Sequence, residues 1–220
     1  MVRQCNVATV ASTIQASREI CAPKSAGRLK GTRISVSNIV ARYASWLKAH
    51  APGTAGAARP PASDADIAAA EGELGAILPA PIRQLYRWHD GGPDNPAEAL
   101  WLRHDFGFLP IEAAREIRQM RREIAEEEFG PEEADDFWSP HWFPIGTSWT
   151  GDHLVVDCST SSAQGRLTIA NNEGPSGSDP VWPNLDSLLD ELVSALENGS
   201  PLSGHLPVTG NGWLLWEEQP

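Results

Sequence analysis

Eighteen consecutive apolar residues occur nowhere in the chain, so no transmembrane helix is expected, and the longest apolar clusters, such as Leu154–Val156, are strand-sized. Cysteine is scarce. Cys5, Cys21 and Cys158 stand far apart, odd in number and without CxxC or zinc-type spacing. This argues against a disulfide framework and fits a reducing compartment. The first residues carry Arg3, Arg18, Lys24, Arg28 and Lys30 but no continuous apolar stretch, so a secretory signal is not supported and a cytoplasmic location is expected. No internal repeat is present.

Basic residues run short as well, and unevenly. Residues 1–35 hold six Lys or Arg against one Glu, a net of +5; the remainder holds eleven basic and 28 acidic residues, a net of −17, giving −12 for the chain. So acidic a body repels phosphate backbones, which disfavours nucleic acid as a partner. It attracts basic proteins instead, chiefly by speeding association. The plainer reading is that the charge keeps the protein soluble. With 41% apolar residues over 220 positions, a sizeable core is expected.

Residues 1–35 show no sustained helical or strand period and read as a disordered leader, or as residues foreign to the domain, which is placed at 36–220. Asn38 can cap a first helix carrying Ile39, Tyr43, Trp46 and Leu47. The Gly/Ala/Pro stretch from Pro52 to Pro61 reads as a linker. Ser63 and Asp66 resemble a capping box for a helix through Leu74 and Ile77, and Pro81 opens another that ends at Gly91-Gly92. Alternation at Leu100, Leu102, His104, Phe106 and Phe108 predicts one strand. A charged helix follows through Phe129, with Arg115, Arg118, Arg121 and Arg122 spaced to pair with Glu123, Glu126, Glu127 and Glu128, and it is expected to be mostly solvated. Strands are predicted over 152–158 and 166–170, then a Leu-rich helix capped by Asn184 and a last strand through Trp213–Trp216. The order argues for an α+β fold: N-terminal helices, a central, mostly antiparallel sheet and a C-terminal helix packed on it.

The segment Asp66–Gly92, DIAAAEGELGAILPAPIRQLYRWHDGG, resembles the signature of the SUKH superfamily, which includes fungal cell-wall-synthesis regulators and bacterial immunity proteins. The matching positions are Ile67, Glu71, Leu74-Gly75, Leu78-Pro79 and Asp90-Gly91-Gly92. Trp142, Pro144 and Ile145 resemble the family's W-x-P-I strand, and Gly151-Asp152 with Leu154 and Asp157 its G-D-x-L-x-x-D strand. Gly165-Arg166-Leu167 resembles a later strand, so the likeness spans roughly 36–216 without the leader or the helix at 110–129. The resemblance implies an α+β fold without enzymatic activity, cofactor or metal, and a protein partner, in many members a toxin that is often a nuclease. The alternative it leaves open is a regulatory scaffold for cell-wall or signalling partners; ranked behind it, from the residues alone, is a metal-dependent hydrolase using Asp152, His153 and Asp157.

Each motif residue also has a structural explanation: Glu71 can bond a backbone end, Gly91 and Gly92 can meet a positive φ, and Asp152 and Asp157 can bond loop amides. Three enzyme readings are tested by spacing, and it argues against each. Gly146–Gly151 is one residue too long for a nucleophile elbow. His141, Asp152, His153 and Asp157 lack the spacing of metal ligands, and His153 and Cys158 fall on opposite faces of one strand. Trp88, Trp142 and Trp149 are assigned to the core, whereas Trp101, Trp138, Trp182 and Trp213 lie near turns and can remain exposed. Tryptophan rimmed by carboxylates suits protein docking. The candidate contacts for a basic toxin domain are Asp90, Asp94, Trp101, Asp105, Asp135, Asp136, Trp138, Asp152 and Asp179.

Overall fold

The computed structural model describes residues 36–93, 95, 98–172 and 181–219. The expected leader and the candidates Asp94 and Asp179 lie outside the described residues. Helix α1 (Val36–His50) buries Val36, Ile39, Val40, Tyr43 and Leu47, a stripe at helical spacing. Contrary to the linker expectation, Pro52–Ala57 forms a short helix, α2, with proline in its first turn where a missing N–H is harmless. A Cβ at Gly53 would stand 2.8 Å from the Gly212 carbonyl, so glycine permits this contact with the C-terminal hairpin.

The predicted capping box is formed: Ser63 Oγ accepts the Asp66 N–H and an Asp66 carboxylate oxygen accepts the Ser63 N–H, starting α3 (Asp64–Leu74). Helix α4 (Ala80–Trp88) buries Ile82, Leu85 and Tyr86. The expected single strand over 100–108 is instead a hairpin, β1 (Trp101–Arg103) and β2 (Phe106–Phe108), turning at His104–Asp105. After α5 (Ile111–Phe129) and the short α6 (Ala134–Phe137) come β3 (Trp142–Thr147), β4 (His153–Asp157) and β5 (Leu167–Ala170). These five strands make one antiparallel sheet in sequence order.

Leu154–Val156 is apolar without alternation because β4 is covered on both faces. Leu154 and Val156 join the larger apolar cluster, with Phe143, Ile145 and the leucines of the last helix, α7 (Leu185–Asn198). Val155 joins a smaller one with Ala125, Ala134, Phe137 and Trp138. Helix α7, capped by Asn184 and closed by Gly199, buries Leu185, Leu188, Leu189, Leu192 and Leu196 against α1 and β1. A hairpin, β6 (His205–Gly210) and β7 (Trp213–Glu218), ends the described chain. It is held where the Leu214 N–H donates to Thr54 Oγ1 and the Trp101 indole N–H donates to the Leu214 carbonyl. The fold is α+β. Among the described residues, no helix is long and apolar enough to cross a membrane.

Helix α5 departs from the solvated expectation. It packs on β3, and most of its arginine contacts reach other elements. Arg115 pairs with Glu73, and Arg118 donates to the Pro140 carbonyl. Arg121 is buried between the rings of Phe137 and Trp138, donating to the Asn171 carbonyl and Asn172 Oδ1. Of the expected pairs one turn apart, Arg122–Glu126 is formed, and Arg122 also holds Asp135.

Candidate functional site

The motif residues act first as joints. Glu71 Oε1 accepts the Leu78 N–H at 3.0 Å, tying the end of α3 to the Leu78-Pro79 loop. Removing that acceptor in Glu71→Ala leaves a half-buried donor unsatisfied and is expected to lower stability by about 1–3 kcal/mol, read as a lower urea midpoint. Gly91 and Gly92 do not cap α4, whose last residue is Trp88 and whose C-cap is His89. Instead the Gly91 backbone passes close to Leu109 and Pro110, and the Gly92 N–H donates to the Phe108 carbonyl. Asp90 Oδ1 accepts the Ile111 N–H at 2.8 Å. The Asp90-Gly91-Gly92 segment therefore fastens the exit of α4 to the start of α5. Asp90 thus caps the start of α5, with Arg59 beside its other oxygen.

That joint sets one wall of an open groove of about 840 Å³ running between the start of α5, the β1–β2 hairpin and the β3–β4 turn. Its depth comes from small residues. Ala99, Gly107 and Ala113 line it, and a Cβ on Gly107 would meet the Ala99 Cβ at 3.2 Å. On the wall of α5, Glu112 and Glu116 lie one turn apart beside Ala113 and Ile117. Both carboxylates are exposed and held in no ion pair among the described residues. Like charges at this spacing destabilise a helix by roughly 0.2–0.5 kcal/mol, a strain that a cation beside them relieves. Asp105 also lines the groove, ion-paired to Arg103, and burial raises its carboxyl above the usual range.

The opposite rim carries Trp149, 64% exposed, its ring 6.1 Å from that of buried Trp101. Here the expected roles are exchanged. Trp101 and Trp138 are 3% and 0% exposed, so neither is an anchor for a partner, whereas Trp149, assigned to the core, faces solvent. Trp101 lies in a strand and its N–H finds the Leu214 carbonyl, which makes burial inexpensive. Trp149 sits in a tight turn. Ser148 Oγ accepts the Asp152 N–H, Thr150 Oγ1 donates to Asp152 Oδ2 at 2.7 Å, and Gly151 adopts φ +82°, which turns the intervening indole outward. Asp152 Oδ1 also accepts the Asn172 N–H. Both carboxylate oxygens of Asp152 are thus engaged in holding the turn.

The remaining candidates lie elsewhere. Asp135 and Asp136 are exposed on α6, the first tied to Arg122. Asp157 accepts the Ser159 N–H. Of the named candidates, the groove lining brings together Trp101 and Asp105; sequence reasoning missed Trp149, Glu112 and Glu116. The two glutamates had a signal, since acidic residues at i and i+4 beside a proline-led helix start share one face.

Among the described residues, the candidate nucleophile and base, Cys158 and His153, are buried rather than poised. Burial pushes the Cys158 thiol up to about 12, so it is no thiolate at neutral pH. His153 is buried edge-on against Trp138. Among the described residues, no three His, Cys, Asp or Glu side chains gather as a metal site requires.

The architecture is thus an α+β fold with an open, carboxylate-rimmed groove. The model of the SMI1 / KNR4 family (SUKH-1) matches residues 61–191, more than half of the chain, and the protein belongs to that family. No curated protein matches it.

Proposed function

We propose that the chain is a non-catalytic, cytoplasmic protein-binding domain, residues 36–220, that acts as an immunity protein and covers the active site of a basic toxin domain. The observation that carries this is the state of its charges. Arg42, Arg59, Arg83, Arg87, Arg103, Arg115 and Arg122 are all engaged in ion pairs within the chain. Glu112, Glu116, Glu123, Glu127, Glu128, Glu132, Glu133 and Asp136 are exposed and form no ion pair among the described residues. The negative surplus therefore faces solvent and is available to a cationic protein.

Family membership is consistent with an immunity-type or a regulatory role. The charge favours the first, because enzymes that act on nucleic acids need basic faces to hold phosphates, and such a face is what this surface complements. The test is capture from lysate of the native source on immobilised full-length chain, with the retained protein assayed for toxic enzymatic activity. Retention of a basic protein whose activity falls on binding is expected, with affinity dropping as salt rises. A retained protein that is not basic, or that remains fully active in the complex, contradicts the reading.

A further inference from the structure

We propose that the groove between Trp149 and the first two turns of α5 receives a single arginine- or lysine-bearing segment of the protein partner, seating an apolar residue on the indole and its cation between Glu112 and Glu116. The inference rests on the docking reading above and names where and how docking occurs. Three independent features support it.

The first is shape. The groove is open along its length and close in volume to the upper end of the ~300–1,000 Å³ range of ligand clefts, which suits a stretch of chain better than an enclosed small molecule. Its floor is laid by Ala99 and Gly107, packed so closely that a Cβ on Gly107 would meet the Ala99 methyl at 3.2 Å, so the groove is a shallow trough lying along the surface.

The second is the indole. Trp149 is the most exposed aromatic side chain among the described residues, yet its turn is locked by Ser148, Thr150 and Asp152. An anchor already held in place loses little backbone freedom on binding, and tryptophan is among the residues that most often dominate an interface. Its face also attracts a guanidinium.

The third is charge complementarity. Arg59, at the groove mouth, is answered by Asp90, and Arg103 by Asp105. Glu112 and Glu116 form no ion pair among the described residues, and Arg115, the cation near Glu112, is paired to Glu73, so the groove wall keeps two carboxylates on one helix face. A phosphate is repelled there and a basic side chain is drawn in.

Selection of a phage-displayed random peptide library on the immobilised full-length chain tests this whatever the identity of the partner. Selected peptides are expected to pair an arginine or lysine with a neighbouring apolar residue. Their affinity should fall at least tenfold on Trp149→Ala, several-fold on the double variant Glu112→Gln/Glu116→Gln, and stay unchanged on Glu132→Gln/Glu133→Gln, which removes equal charge outside the groove. Peptides lacking basic residues, or peptides binding Trp149→Ala as well as wild type, would overturn the assignment. So would equal losses in the two double variants, which would show attraction to bulk charge alone. The two claims fail separately: a native partner retained at full affinity by Trp149→Ala sinks the groove and spares the docking reading. Circular dichroism of each variant confirms that folding is intact, since all four substituted glutamates and Trp149 are exposed.

Discussion

Alanine in place of Gly91 is expected to lower stability by about 3–5 kcal/mol, enough to leave much of the protein unfolded at moderate urea. Two effects combine. Gly91 has φ +74°, a conformation that L residues occupy at a cost of roughly 1–2 kcal/mol. The added Cβ would lie 2.4 Å from the Pro110 nitrogen and 2.6 Å from the Leu109 carbonyl carbon, both backbone atoms that cannot rotate away. Gly75 is the internal control. Its φ is +70°, but a methyl group added there would meet nothing within 4 Å, so Gly75→Ala is expected to lose about 1–2 kcal/mol only. Urea unfolding of both variants separates strain from collision; equal losses would contradict the close approach. Because Pro110 begins the helix bearing Glu112 and Glu116, a chain that survives Gly91→Ala is also expected to show a displaced groove wall.

Acid is the second large lever. Burial, helped by the nearby Arg121 charge, lowers the His153 pKa from 6.5 to about 4. Burial likewise lowers His104 to about 4, with Arg103 and the stacked His205 ring adding to it. In both, the folded state binds a proton more weakly than the unfolded state. Stability is therefore retained above pH 6.5, falls as pH drops toward 4, and below that the loss is complete. A shift of this size corresponds to on the order of 3 kcal/mol for each histidine, less for His104, which keeps more contact with solvent. Asp66 and Glu73, held below the usual range by Ser63 and Arg115, push the same way; Asp105 and Asp186, raised by burial, oppose it. Urea unfolding across this pH window should show stability falling steeply toward acid. His153→Leu should flatten the slope whatever it does to stability at neutral pH, and an unchanged slope would remove His153 from the account.

How far such features can be read from residues alone depends on whether their cause is local. Helix α7 is legible because Asn184, a leucine stripe and Gly199 are all contained in one segment. The box at Ser63 and Asp66 is legible for the same reason. Helix α2 is not, since its glycines and prolines argue for a loop until Gly53 meets the Gly212 carbonyl far along the chain. The exchange of Trp149 with Trp101 and Trp138 has the same origin. Aromatic neighbours in sequence do not say which side of a turn or strand meets the core. For Trp101 the deciding contact is Leu214, 113 residues away. Arg121 reads as part of a solvated helix because its burial depends on two rings of another element and on Asn171 and Asn172.

What unites the groove, the unpaired glutamates and the surplus negative charge is the claim that this surface grips a cationic protein. Calorimetric titration of the full-length chain with the basic protein captured from its native source tests that claim most directly. Wild type should bind one-to-one and weaken with added salt, while Trp149→Ala binds at least tenfold more weakly. Binding that ignores both salt and the loss of the indole would contradict it.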